Sequence, residues 1–169
     1  MEKLIIKQLT KSHYPNDRDV KKLLAYISGR GKRSNTDKVL SVKAFGASKM
    51  HKNAAFQFLK VQKYYNKTSG RRCYHFIVSF PGEFTCIDAV KQSAANIAQK
   101  VFYQRGFQVF YAIHLDTDNL HIHFAVNSVN LHTGKKLHIS RNKFFTMKQE
   151  ILECVNVVLY DHGLRIFKL

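Results

Sequence analysis

The stretch His114-Leu115-Asp116-Thr117-Asp118-Asn119-Leu120-His121-Ile122-His123-Phe124-Ala125-Val126-Asn127 decides the fold of this chain and most of its chemistry. It reads as two short strands joined by a polar turn. Ahead of the turn, Gln108, Phe110, Ala112 and His114 share a face. Beyond it His121, His123, Ala125 and Asn127 share one, by the same period of two. Pairing the two runs as an antiparallel hairpin brings His114 next to His121 and His123 on one side of the sheet. Three converging imidazoles, with Asp116 and Asp118 in the turn, make a divalent-metal site with open coordination positions, which a catalytic ion needs and a structural one does not. A lone His-x-His pair in a strand is usually surface decoration, and it is the third histidine that favours a metal. Cys73, Cys86 and Cys154 are scattered singly, without the spacing of a zinc site, and read as packing residues.

Composition narrows the partners. At 169 residues, 45% of them hydrophobic and 13 of them phenylalanine, the chain is one domain with a sizeable core. Lys and Arg number 28 against 11 Asp and Glu, a formal charge of +17. That imbalance argues against an ordinary enzyme of small neutral substrates and calls for a polyanion, nucleic acid ahead of anionic membrane. No segment approaches the ~18 apolar residues of a membrane span. The start, Met1-Glu2-Lys3-Leu4-Ile5-Ile6-Lys7, is strand-like and unlike a signal peptide. Three unpatterned cysteines suit reduced thiols in a cytoplasm.

Periodicity predicts a strand over 4–9 and a helix over 17–28 whose stripe is Val20, Leu23, Leu24 and Ile27. A basic, glycine-containing loop over 29–38, a short strand over 39–45 and a helix over 48–65 follow. Residues 73–80 form a strong strand stopped by Pro81-Gly82. Ile87, Val90, Ala94, Ile97 and Val101 repeat at helical spacing up to Gly106, and a last helix spans about 142–162, ending at Gly163. Two prolines, no repeat and no low-complexity run argue against a linker, so residues 1–169 are expected to form a single domain. The central hairpin makes the sheet largely antiparallel, giving an α+β fold with helices on one or both faces. A half-exposed sheet carrying histidines beside basic loops would be a platform for a single strand of nucleic acid.

A metal and a polyanion together suggest phosphodiester chemistry, by metal-activated water or by a side-chain nucleophile. The run Asp116-Thr117-Asp118-Asn119-Leu120-His121-Ile122-His123, with His114 ahead of it, resembles the third motif of plasmid relaxases. These mobilisation nucleases of the TraI type belong to the histidine-hydrophobic-histidine (HUH) endonucleases. Leu23-Leu24-Ala25-Tyr26-Ile27-Ser28 resembles their first motif, a helix carrying the nicking tyrosine. Tyr74-His75-Phe76-Ile77-Val78-Ser79-Phe80 resembles the second, a strand ending in a serine near the DNA, and Asp161-His162-Gly163-Leu164 resembles the end of the catalytic domain. The resemblance implies a relaxase fold with His114, His121 and His123 as metal ligands, with proton acceptor as the alternative role of His114. It implies Tyr26 as the nucleophile that leaves a free 3′-hydroxyl and a 5′-phosphotyrosyl link able to rejoin the strand. Ser79 would hold a phosphate or merely close a strand end, and Asp116 would take the tyrosine proton or orient a ligand imidazole. The implied cofactor is Mg or Mn; imidazole suits Mn or Zn by softness. The implied setting is a bacterial cytoplasm and a monomer acting on single-stranded DNA at a plasmid transfer origin. Relaxosome accessory proteins and the conjugative coupling machinery are the implied partners.

The residues bear on these implications separately. On a helical wheel Tyr26 lies about 110° from the centre of the apolar stripe, at the edge of the core face. A tyrosine hydroxyl with a pKa near 10 needs a base or nearby positive charge to attack at neutral pH. Phosphate contacts are expected from Arg30, Lys32 and Arg33 after the tyrosine helix, Arg71 and Arg72 before the serine strand, and Lys135 and Lys136 after the hairpin, with Arg141 and Lys143 beyond. Asn127 is expected to bond the hairpin backbone or a ligand histidine, and Tyr64 and Tyr65 to pack, with a second nucleophilic tyrosine as the alternative. Two features depart from the family pattern: Lys43-Ala44-Phe45-Gly46 stands where an Asn-Cys pair is common, and relaxases usually continue into a further region. The rival readings are a binding module that positions DNA for a partner nuclease, and a hydroxide-using metallonuclease in which Tyr26 is structural.

Overall fold

The computed structural model describes residues 2–10, 13–31, 38–115 and 119–169. Five strands and four helices alternate: β1 (Ile5–Gln8), α1 (Asp17–Ile27), β2 (Val39–Phe45), α2 (His51–Tyr64), β3 (Cys73–Ser79), α3 (Ile87–Ile97), β4 (Val109–His114), β5 (His121–Asn127) and α4 (Arg141–Asp161). The strands form one fully antiparallel sheet in the order β1-β3-β5-β4-β2. The expected α+β class and the central hairpin are what the structure has.

Local chemistry explains the helix boundaries. Asn16 caps α1, its side chain accepting from the Asp19 N–H at 2.9 Å, and Asp17 and Asp19 place negative charge on the positive end of the helix. Ser140 caps α4 by accepting from Lys143 N–H at 3.2 Å. α2 starts later than expected because Ser48 is bound into a turn: its N–H donates to Gln57 Oε1 at 2.7 Å and its Oγ accepts from Met50 N–H at 3.1 Å. α3 widens into a π turn over Ala98–Phe102 and tightens at Tyr103–Arg105 before Gly106. Gly106 has φ +90°, which favours glycine, and a Cβ there would run into the Asn130 side chain, which would have to shift.

The alternation of β3, β4 and β5 sorts two cores. Phe76, Val78, Tyr111, Ile113, Ile122 and Phe124 face α3 and α4 and join Ile97, Phe102, Ile151 and Val155 in the larger one. Cys73, Phe110, Ala112 and Ala125 face α1 and α2 and pack on Leu23, Leu24, Ile27, Ala54 and Phe58. Helices therefore cover both faces, and every residue of β4 and β5 is buried. The expectation of a half-exposed sheet is corrected at the central strands: among the described residues the histidine face opens at the edges, with Ile5 and Lys7 exposed and Ile77 and Ser79 half-buried on the β1–β3 side and Val39, Val42 and Ala44 half-buried on β2. The 39–46 segment takes the path of an edge strand paired to β4. Among the described residues no helix is long and apolar enough to cross a membrane.

Candidate metal centre

Strand register lines up the polar residues in rows. Across β1, β3, β5, β4 and β2, one row reads Ile5, Ser79, His121, His114, Val39. The next reads Lys7, Ile77, His123, Ala112, Val42, and on the inner strands a third reads His75, Ala125, Phe110. His114 and His121 are direct cross-strand partners, and His123 lies one row inward on the same face. Alanine beside His123 and beside His75 leaves room for the rings. Ring centroids are 4.4 Å apart for His114–His123, 4.9 Å for His121–His123 and 5.6 Å for His114–His121. Among the described residues, these three form a group of potential ligands whose ring nitrogens lie within 4.8 Å of one another.

The hydrogen bonds select tautomers. His114 Nε2 is 2.6 Å from the Ile27 carbonyl and His121 Nδ1 is 3.1 Å from the Asn119 carbonyl. A carbonyl only accepts, so those two nitrogens carry the protons, and the lone pairs belong to His114 Nδ1 and His121 Nε2. His123 Nδ1 is 2.8 Å from His75 Nε2, and its Nε2 is buried with no hydrogen-bond partner among the described residues. Burial, reinforced by His75, His114 and His121, pushes the His123 pKa down to about 2. Burial and His114 push His75 down to about 4. His75 and His123 therefore stay neutral at physiological pH, the state in which imidazole binds a metal. Three buried imidazoles, one with an orphaned nitrogen, fit a divalent ion.

The Ile27–His114 bond also ties the C-terminal end of α1 to the triad, using a carbonyl that the helix itself leaves unsatisfied. Tyr26, the residue before, is thereby held with its ring centroid 5.7 Å from that of His123 and 6.4 Å from those of His75 and His114. It is 42% exposed while Leu23, Leu24 and Ile27 are buried, matching its expected place at the edge of the stripe. It opens onto a cleft of about 680 Å³ bounded by Leu9, Tyr14, Lys22, Ile77, His75 and His123.

The remaining expected residues fall in several places. Ser79 is half-buried, directly across from His121. Arg30 is exposed just past α1. Asp116, Lys32 and Arg33 lie outside the described residues. Arg71 bonds His13 Nδ1 at 2.7 Å and stacks over Tyr74, at the His13 end of the cleft. Arg72 is a correction. It is 3% exposed, and its guanidinium donates to Gln62 Oε1, to the Thr68 carbonyl at 2.9 Å and to Asp17 at 2.7 Å, so it braces α1 against α2 and is not placed to meet phosphate. Lys135 and Lys136 lie beyond the Asn127 end of β5, away from the triad, and Lys136 donates to the Ser69 carbonyl at 2.6 Å. Arg141 and Lys143 are exposed at the start of α4. Asn127 accepts from Gln62 and, at 3.2 Å, from the Val129 N–H just past the hairpin, and donates to Gln108 and the Phe58 carbonyl, so of its two expected kinds of partner it takes backbone and not a histidine. Tyr64 is 78% exposed rather than packed, and the Tyr65 hydroxyl donates to the Leu131 and His132 carbonyls.

Among the residues at the cleft that were missed from the sequence are His75, Tyr14 and Lys22. For His75 a signal existed, because it shares the period-two face of Ser79 within the second motif. Tyr14 and Lys22 are brought in by the packing of the segment before α1 and of α1 itself.

Comparisons with known proteins agree with this geometry. A family model described as "Relaxase: MobA/VirD2-like, nuclease domain" matches residues 26–155. Two Staphylococcus aureus proteins named Protein rlx are 29% identical over 96 residues and 31% identical over 110 residues. These segments cover 57% and 64% of this chain but 28% and 33% of those proteins. Protein TraI of Escherichia coli is 35% identical over 79 residues, 46% of this chain and 10% of that protein. The chain thus spans about a third or less of the curated relatives it matches. A solved structure described as "Molecular Basis of Vancomycin Resistance Transfer in Staphylococcus aureus" superposes with a TM-score of 0.66 over 98% of this chain and 96% of that one. At 13% identity that likeness concerns the fold. With a tyrosine at the histidine cluster and a match running from that tyrosine to residue 155, the chain belongs to the MobA/VirD2-like relaxase family and carries its nuclease domain.

Proposed function

We propose that this chain nicks single-stranded DNA at a plasmid transfer origin by transesterification through Tyr26, starting conjugative transfer or mobilisation. One observation carries the reading: a half-exposed tyrosine stands 5.7 Å, ring to ring, from His123 of a buried histidine triad at the mouth of a cleft. A divalent ion on His114, His121 and His123, Mg or Mn, would draw charge from a non-bridging oxygen of the scissile phosphate. Tyr26 Oη attacks the phosphorus, the P–O3′ bond breaks, and the strand is left with a 3′-hydroxyl and a 5′-phosphotyrosyl link. The phenolic proton leaves to a base and the departing 3′-oxygen gains one, so the reaction runs in reverse to rejoin the strand. Asp116 is assigned to that proton or to bracing a ligand imidazole. Ser79 is assigned to the DNA phosphate beside His121. Lys22 lines the cleft and Arg71 bonds His13 beside it, and these two with Lys7 and Arg30 are assigned the positive charge that polyanion binding requires. The reaction would take place in a bacterial cytoplasm with relaxosome accessory proteins and the coupling machinery as partners.

The test uses end-labelled single-stranded oligonucleotides from the transfer origin of the chain's own element, with Mg or Mn, on a denaturing protein gel. A labelled protein band that vanishes in Tyr26→Phe is the expected result. Metal-dependent cutting that survives Tyr26→Phe, with no covalent band, would mean activated water. Binding without cutting would leave a module that positions DNA for another nuclease.

A further inference from the structure

We infer that His75 is a positioning residue for the metal centre: held by Tyr14, it accepts the Nδ1 proton of His123 and so turns the Nε2 lone pair of His123 toward the ion. The inference rests on the metal reading of the triad. His75 stands opposite Ala125 on the neighbouring strand, which makes it the diagonal neighbour of His123 on the same face. The two rings lie 5.1 Å apart at 33°, with His75 Nε2 and His123 Nδ1 at 2.8 Å, both residues being buried. On its other side, His75 Nδ1 is 3.1 Å from the Tyr14 hydroxyl.

Two proton arrangements fit this chain of bonds. In one, Tyr14 donates to His75, His75 Nε2–H donates to His123 Nδ1, and His123 Nε2 carries a proton. That proton would be a buried donor without a partner among the described residues, an arrangement proteins avoid. In the other, His123 Nδ1–H donates to His75 Nε2, His75 Nδ1–H donates to the Tyr14 oxygen, and His123 Nε2 holds a lone pair. Only the second lets His123 bind a metal. His114 and His121 obtain the same result from backbone carbonyls, whereas His123, in mid-strand, obtains it from a side chain. Metal-bound histidines generally depend on such an acceptor behind them.

The backbone at Tyr14 is the second observation. Its φ of +44° lies in the left-handed region that side chains other than glycine rarely adopt. The conformation is held by the Tyr14 carbonyl accepting from Arg72 N–H at 3.2 Å and by packing of the ring against the α1–α2 core. Pro15 and the Asn16 cap follow directly, so the strained residue links the start of α1 to the hydroxyl that faces His75.

The test measures Mn2+ binding to metal-stripped protein without DNA, by calorimetry and by electron-spin-echo counting of coordinated imidazoles. His75→Ala is expected to weaken Mn2+ binding about 10–100-fold. His75→Gln, whose amide oxygen takes the place of Nε2, is expected to stay within about threefold of the parent and to keep three coordinated imidazoles. Tyr14→Phe, which removes only the hydroxyl, should lose affinity to a smaller degree than His75→Ala. If His75→Ala fails to fold, the glutamine and phenylalanine variants decide. Unchanged affinity in folded His75→Ala, or in Tyr14→Phe, overturns the inference. Equal losses in the alanine and glutamine variants would show packing alone, and a drop to two imidazoles in His75→Gln would make His75 a ligand. Absence of Mn2+ binding by the parent protein would instead remove the metal reading on which the inference stands.

Discussion

Arg72 separates a DNA contact from a framework brace, and Arg72→Leu reads the difference. The guanidinium is buried at 3% exposure and supplies donors to Gln62, Thr68 and Asp17. Its removal leaves the fully buried Gln62 Oε1 without that donor, a loss of about 1–3 kcal/mol. The Thr68 carbonyl loses a second donor. Asp17 is 40% exposed and keeps Lys63 at 3.5 Å, so water and that lysine compensate there to within about 1 kcal/mol. Leucine refills part of the space with apolar atoms. The net cost is about 3 kcal/mol, which for a chain of this length lowers Tm by about 6–12 °C. The assay pairs thermal unfolding with the salt dependence of single-stranded DNA binding. A lost phosphate contact reduces the slope of log K against log salt by about 0.7. Arg72→Leu should melt early and keep the parent slope, whereas Arg71→Ala should melt normally and lose about 0.7 of slope. An Arg72→Leu protein with parental Tm and a reduced slope would refute the framework assignment.

Three other outcomes are expected. In metal-free protein, His75 and His123 stay neutral when folded, while unfolded imidazoles protonate near 6.5. Their folded pKa values are lowered, so stability is complete above about pH 6.5 and falls below it, by about 2 kcal/mol per histidine at pH 5. Urea midpoints that do not move between pH 7.5 and pH 5 would contradict this. Ala125→Leu places three extra carbons between His75 and Phe110 in a fully buried position. It should destabilise by about 1–3 kcal/mol and weaken Mn2+ binding, so parental affinity would show that the rings do not depend on that space. Gly106→Ala would set a Cβ against Asn130 at a φ of +90°. The expected cost of about 1–3 kcal/mol would show as an earlier urea midpoint, and an unchanged midpoint would mean that Asn130 moves aside freely.

Much of the fold was legible because it is encoded by short-range periodicity. Alternation in 108–114 and 121–127 names the residues on each face of β4 and β5 whatever they pack against, and the hairpin then needs only its turn. The same logic found the α1 stripe and, through it, the edge position of Tyr26. A boundary was missed where turn hydrogen bonds compete with helix, as at Ser48, whereas the helical run from Ile87 ends at Gly106 as expected even though its pitch changes after Ile97. Half-exposure of the sheet was misjudged because histidine and alanine in β4 and β5 look suited to a surface, although α1 and α2 cover them.

By itself, then, the sequence determined the α+β class, the His114–His121–His123 cluster, the edge tyrosine of α1 and the large excess of positive charge, all of which follow from spacing and composition. Only the tertiary structure decided that Arg72 is a buried brace rather than a phosphate contact, because its partners come from α1, α2 and the turn between them and β3. It alone joined His75 and Tyr14 to the triad. Strand register and a strained backbone set those neighbours across 48 and 61 residues of chain, where no local pattern reaches.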